Sequence, residues 1–165
     1  MAGDWIRLAV LNYVKTIAEY EKRIDDWCAY GQTVRAQMEH VGAMRYDHDG
    51  SRAGYEDRLP ESLDKLAEIA DKIDADIMLW ADEAAHAHEI FSRYLETRIV
   101  WMKWGKHGKN RLRDLTWDDV ARRIGYSKAN AQRLSERGIM VIYHDMPEEY
   151  RRSGYPAQLW QDETK

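Results

Sequence analysis

Apolar residues recur along the first part of the chain with gaps of four and three: Ile6, Val10, Tyr13, Ile17, Tyr20, Ile24, Trp27, Gly31, Val34, Met38 and Val41. That rhythm holds one face of a helix in register along its whole length and predicts a heptad seam. A second run keeps the same gaps through Leu59, Leu63, Leu66, Ala70, Ile73, Ile77, Trp80, Ala84 and Ala87, and Pro60 beside Glu61 suits a first helical turn. The intervening RYDHDGSRAGYEDR has no period and reads as a loop. Helices of about 40 and about 28 residues would measure about 60 Å and 40 Å at 1.5 Å per residue. Each stripe is too narrow to stabilise a lone helix. The pattern therefore predicts a long antiparallel helical hairpin, which self-association through these helices would extend into a homodimer or a higher homo-oligomer.

Single residues within the hairpin have their own readings. Gly31 interrupts the seam and marks a close approach or a bend. Cys28, with no His or Lys one turn away to lower its pKa, reads as a small buried hydrophobe. Trp27, Trp80 and the seam tyrosines read as core. Glu83 and His86 make one Glu-x-x-His unit, and Asp82, His86 and Glu89 share a face. A carboxylate-bridged metal pair needs a second such unit from a facing helix, and the first helix has none. No metal and no cofactor are expected.

After the hairpin, Ile90, Phe91, Tyr94, Leu95, Ile99 and Met102 predict a further amphipathic helix ending near Trp101 to Trp104, with both tryptophans in the core. Residues 115–139, LTWDDVARRIGYSKANAQRLSERGI, are built differently. Thr116 with Asp119 three residues on forms a capping box, opening a helix that buries Val120, Ala121 and Ile124. Gly125 and Tyr126 break it, and Ser127 caps the next helix, which turns Ala131 and Leu134 inward. Two short helices across a glycine turn predict a helix-turn-helix. The fold expected is all-α: a hairpin over 1–89, a helix-turn-helix domain with a basic insert over 90–141, and a tail over 142–165. The tail's Tyr143, Met146, Tyr150, Tyr155, Leu159 and Trp160 are too apolar for an inert extension, so it should fold back on the helices.

Composition narrows the class. The 165 residues are 44% hydrophobic and 33% charged with three prolines, which suits a helix-rich globular chain. The lone Cys28 excludes an intrachain disulfide framework, and neither a spanning apolar stretch nor a secretion signal is evident, so a cytoplasmic setting without membrane partners is expected. Ser/His/Asp or Cys/His sets, a Gly-rich nucleotide turn and paired metal motifs are missing at usable spacing, so the reading is not an enzyme.

Charge changes the picture more. The net charge is -4, yet residues 98–137 hold eleven Lys/Arg against four Asp/Glu, a balance of +7 between acidic flanks. A compact cationic segment is a footprint for a polyanion, because each Lys or Arg set on a phosphate releases condensed counterions. On the second short helix, Ser127 and the free amides of the first turn can grip a phosphate. Lys128, Asn130, Gln132, Arg133 and Arg137 can then reach base edges in a major groove. Arg122 and Arg123 on the first are placed for the sugar-phosphate backbone, and Lys106, Lys109, Arg111 and Arg113 make the insert either a second phosphate-binding stretch or a solvated linker. The partner these residue types predict is double-stranded DNA.

Leu115-Thr116, Asp119-Val120-Ala121, Ile124-Gly125, Ser127, Arg133 and Arg137-Gly138-Ile139 resemble the pattern of sigma-70 region 4. A helical hairpin followed by such a unit is similar to the RinA/ArpU-type phage regulators of late-gene transcription. The resemblance rests on about 25 of the 165 residues. It implies a DNA-binding transcription activator, working in the cytoplasm of a bacterial host and touching host RNA polymerase. Two departures stand out: the insert GKHGKNRLRD before Leu115, and the long tail. Two other readings remain: a small-terminase-like DNA-packaging subunit, whose DNA-binding part commonly precedes its oligomerisation helices, and a helical adaptor without DNA binding, which Asp118, Asp119 and Glu136 would suit.

Overall fold

The computed structural model describes residues 3–47, 59–105 and 115–153. The described residues are all-α, in six helices: α1 Asp4–Asp47, α2 Leu59–Arg93, α3 Leu95–Trp104, α4 Trp117–Ile124, α5 Lys128–Asp145 and α6 Glu148–Ser153. The loop expected from Arg45 begins later, since α1 runs to Asp47, and the rest of that loop lies outside the described residues. None of these helices is long and apolar enough to cross a membrane. The chain forms two compact units, one of residues 1–22 and 83–165, the other of residues 23–82.

Among the described residues, the second unit consists of the C-terminal half of α1 and the N-terminal two thirds of α2. Val34 and Ile73 are its buried hydrophobes, and Trp27 meets Trp80 at 6.2 Å between centroids. Gly31 is buried, and a Cβ there would lie 3.4 Å from Ile73 Cγ2, an ordinary contact, so the two helices meet here without requiring a glycine. Arg35 donates from Nη2 to both Asp74 oxygens, at 2.6 and 2.9 Å. Residues advancing along α1 meet residues receding along α2, an antiparallel order within this unit. Cys28 is exposed, contrary to the expectation of burial. One residue past Trp27 is a turn of about 100° around the helix, enough to carry the thiol off the seam.

The first unit has a larger core, with Val10, Tyr13, Val14 and Ile17 of α1 packed with Ala87, Ile90 and Phe91 of α2. Val100 and Trp101 of α3, Ile139 and Ile142 of α5, and Met146 complete it. Trp101 is stacked on Phe91 at 4.9 Å and 13°. Trp104 is half-buried against the same core, so both tryptophans pack as expected. From the tail, Tyr143, Met146 and Tyr150 fold back onto this core, while Tyr155, Leu159 and Trp160 lie outside the described residues.

The single helix expected from Ile90 to Met102 is instead two helices, broken at Tyr94, which is extended at φ -130° and ψ 159°. The cause is Thr97, fully buried, whose hydroxyl accepts from the Tyr94 amide at 3.2 Å. The same hydroxyl donates toward the Phe91 carbonyl at 3.0 Å or the Tyr94 carbonyl at 2.9 Å. Arg98 Nε caps the end of α2 by donating to the Ser92 carbonyl at 2.9 Å. Backbone groups that a continuous helix would have paired are thus satisfied by side chains.

Helices α3 and α5 cross at Gly138. A Cβ there would overlap the Glu96 carbonyl oxygen and stand 2.6 Å from its carbon and 2.9 Å from Val100 Cγ2. Only a residue without a side chain lets the two backbones meet this closely.

Candidate nucleic-acid interface

A small second core positions the candidate site. Ile99 of α3, Leu115, Val120 and Ala121 of α4, and Ala131 of α5 are buried together, with Met102, Trp117, Ile124 and Leu134 packed around them. Trp104 and Trp117 meet edge to face at 5.6 Å. Lys103 lies over the Trp117 ring at 5.7 Å and donates from Nζ to the Leu115 carbonyl at 2.7 Å. These contacts seat the start of α4 on α3.

The local geometry follows from a few residues. Thr116 Oγ1 accepts from the Asp119 amide at 3.2 Å, and Asp119 Oδ2 accepts from the Thr116 amide at 3.0 Å, a reciprocal capping box. Gly125 ends α4 in the left-handed region, φ 71° and ψ 28°, where a Cβ would be strained although nothing stands within 4 Å of it. Ser127 then caps α5 from an extended backbone, its Oγ accepting from the Asn130 amide at 3.3 Å.

On α5, Ala131, Ser135, Gly138, Ile139 and Ile142 are buried. The opposite side exposes Asn130, Arg133 and Arg137, Gln132 is exposed on its flank, and Lys128 is exposed in the first turn. The first turn of α5 holds no acidic side chain of its own; the carboxylate beside it is Asp118 of α4, 3.4 Å from Lys128 Nζ. Arg122 and Arg123, exposed on the last turn of α4, add charge beside it. The sequence-predicted residues of both helices are thus solvent-facing on one small pair of elements. Lys106, Lys109, Arg111 and Arg113 lie outside the described residues.

Two ion pairs lie beside the cations of α4 and α5, of which the first joins residues ten apart across the turn and was not legible in the sequence. Lys128 Nζ is 3.4 Å from Asp118 Oδ2, and Arg122 Nη1 is 3.8 Å from Asp119 Oδ1. The Lys128–Asp118 pair is at the surface, where such pairs contribute about 0 to 1 kcal/mol and are readily exchanged for another anion, whereas Asp119 is only 16% exposed and is held by Thr116. Among the described residues, Arg123, Arg133 and Arg137 have no acidic partner. The arrangement can therefore offer three guanidinium groups and two side-chain amides to an anionic ligand without first breaking an ion pair.

Glu136 of the same helix pairs at the surface with Arg7 of α1, at 2.9 Å, and Arg7 also lies over Trp104 at 5.7 Å. Asp145 near the end of α5 pairs with Arg93 at 2.7 Å. These acids brace α5 on the rest of the first unit, and Glu136, itself half-exposed, sits one turn from Gln132 and Arg133. Elsewhere, Asp82, His86 and Glu89 are exposed, and no group of three His, Cys, Asp or Glu suited to a metal ion occurs among the described residues.

The chain matches no protein-family model, no curated protein and no solved structure.

Proposed function

We propose that this chain is a sequence-specific double-stranded DNA-binding transcriptional regulator of the phage late-gene activator kind, in which α4 and α5 act as a helix-turn-helix. In this reading α5, starting after Ser127, enters the major groove. Asn130, Gln132 and Arg133 meet base edges, Arg137 and Lys128 extend the contact, and Arg122 and Arg123 track the backbone. The observation that carries the reading is the two-faced character of α5: one side holds buried Ala131, Ser135, Gly138 and Ile139, and the other an exposed amide and guanidinium row. The left-handed turn at Gly125 and the cap at Ser127 support it, since together they set a second helix at an angle to the first. The long α1 and α2 act as a hairpin that joins copies of the chain, because a few contacts per half-site need duplication to reach useful specificity. Contact with host RNA polymerase belongs to the same proposal.

The test is selection of bound duplexes from a random pool by the full chain, followed by a salt titration of the enriched sequence. A regulator enriches one site, and its log affinity falls linearly with log salt. A second reading, a helical adaptor, is favoured by one observation: the Asp118–Lys128 and Asp119–Arg122 pairs satisfy two of the candidate cations internally. It predicts no enrichment and no salt-dependent retention.

A further inference from the structure

Helix α2 carries a second stripe beside its seam. Lys65, Ile69, Lys72, Asp76, Leu79 and Glu83 recur with gaps of four, three, four, three and four, each one place before a seam residue between Leu66 and Ala84. One place is a turn of about 100°, so this stripe runs along the flank of the helix, off the line on which α1 packs. Its apolar members are exposed, Leu79 at 58% and Ile69 at 39%, and they are two of the three large hydrophobes that α2 exposes among the described residues. Among the same residues Lys65, Lys72 and Asp76 have no ion-pair partner, although Lys72 and Asp76 stand four apart on one helix.

The stripe reads Lys-Ile-Lys and then Asp-Leu-Glu, so each half has the same pattern with the sign of its charges reversed. Turned end for end against a second copy, it is complementary to itself. Lys65 then meets the partner's Glu83, Ile69 meets the partner's Leu79, and Lys72 meets the partner's Asp76. All three pairs share one midpoint, level with Asp74, which is the condition for a single twofold axis to relate the copies. Parallel pairing would instead set Lys on Lys and Asp on Asp, which is repulsive. Glu83 Oε2 already accepts from the Tyr150 hydroxyl, so the central pair of Lys72 with Asp76 matters most.

The second unit is also thinly covered. Val34 and Ile73 are its buried hydrophobes, while Trp27, Met38, Leu66, Ile77 and Trp80 of the two seams are only half-buried. Two helices alone leave such stripes partly in water, and a second hairpin set against their flank makes a four-helix arrangement that covers more of them. We propose that α2 pairs antiparallel with α2 of a second copy through this stripe, giving a twofold homodimer. The pairing deepens one part of the proposed function, the joining of copies through the hairpin, and rests on that part alone.

The experiment is sedimentation equilibrium of the full chain without DNA, over a range of concentrations, for wild type, Lys72→Asp, Asp76→Lys and the chain carrying both substitutions. Wild type should form a reversible dimer. Each single change sets like charges against each other twice across the axis and should weaken the dimer by about tenfold or more, while the double change restores opposite charges and should return it to within about threefold of wild type. Leu79→Lys should abolish the dimer and leave the helical circular dichroism intact, because that side chain is already exposed in one copy. A dimer unaffected by either single change, or a double variant as weak as the singles, would overturn the antiparallel α2 pairing and leave the joining of copies standing. A wild-type chain that stays monomeric would overturn both. Neither result bears on DNA recognition by α5, which keeps its own test.

Discussion

Two glycines on long helices should respond in opposite directions to the same substitution. At Gly138, an added Cβ would stand 2.6 Å from the Glu96 carbonyl carbon and 2.9 Å from Val100 Cγ2, and closer still to the Glu96 oxygen. The obstacle is mainly backbone, so α3 and α5 must separate to admit it. Overpacking of this kind costs about 1 to 3 kcal/mol, and a backbone obstacle sets it at the upper end. Replacing a helical glycine by alanine returns about 1 kcal/mol of helix propensity. The net expectation for Gly138→Ala is about 2 kcal/mol of destabilisation. At Gly31 the nearest atoms are Ile73 Cγ2 at 3.4 Å and the mobile end of Arg35 at 3.7 Å, an ordinary contact. There the propensity gain stands nearly alone, so Gly31→Ala should be neutral or stabilising by up to about 1 kcal/mol. Thermal unfolding followed by circular dichroism checks both. At about 2 to 4 °C per kcal/mol for a chain of this size, Gly138→Ala should lower the midpoint by about 4 to 8 °C, and Gly31→Ala should leave or raise it. A Gly138→Ala protein as stable as wild type would refute the close crossing of α3 and α5 on which the mounting of the exposed helix depends.

Other outcomes follow from the same geometry. Gly125→Ala should cost about 1 to 2 kcal/mol, because φ 71° disfavours any Cβ, while Gly125→Asn should cost less; chemical denaturation midpoints distinguish them. Asp118→Asn removes the carboxylate beside Lys128, so nonspecific DNA affinity should rise; an unchanged affinity would show that neither residue lies near bound DNA. Tyr13 and Tyr150 have their pKa values raised, chiefly by burial, with Glu83 contributing to both and the Tyr20 hydrogen bond to Tyr150. A raised phenol pKa gives stability that is full below the unfolded value of about 10 and is lost as pH rises above it. Unfolding at graded alkaline pH should therefore show a steep loss above about pH 10, shallower in Tyr150→Phe.

The features legible in the sequence are those whose cause is local or periodic. Every seam residue whose side chain is described, from Ile6 to Val41 and from Leu63 to Ala87, is buried or half-buried, because a repeat of four and three is the signature of one helix face. The Thr116 and Asp119 box, the left-handed Gly125 and the Ser127 cap were equally readable, since each bonds within four residues. The break at Tyr94 was not. It depends on a threonine hydroxyl reaching carbonyls that continuous helical periodicity would have kept in the ladder. Cys28 misled because it sits one place off a seam that the apolar spacing defines only at its centre. For the candidate site, the exposed face of α5 was readable as the complement of its apolar positions. The Asp118–Lys128 pair was not, because its residues are ten apart and meet only once the turn is formed. The role of Gly138 likewise required α3, a partner some forty residues earlier in the chain, to be in place.

The most direct test of the account compares Arg133→Ala with Arg123→Ala on a selected site and on random duplex. Arg133 is assigned to a base edge, so its loss should weaken the selected site by about 1 to 3 kcal/mol more than random DNA. Arg123 is assigned to the backbone, so its loss should weaken both alike. Equal losses on the two duplexes for both variants, or no binding of either duplex by the wild-type chain, would contradict the assignment of α5 as a reader of DNA sequence.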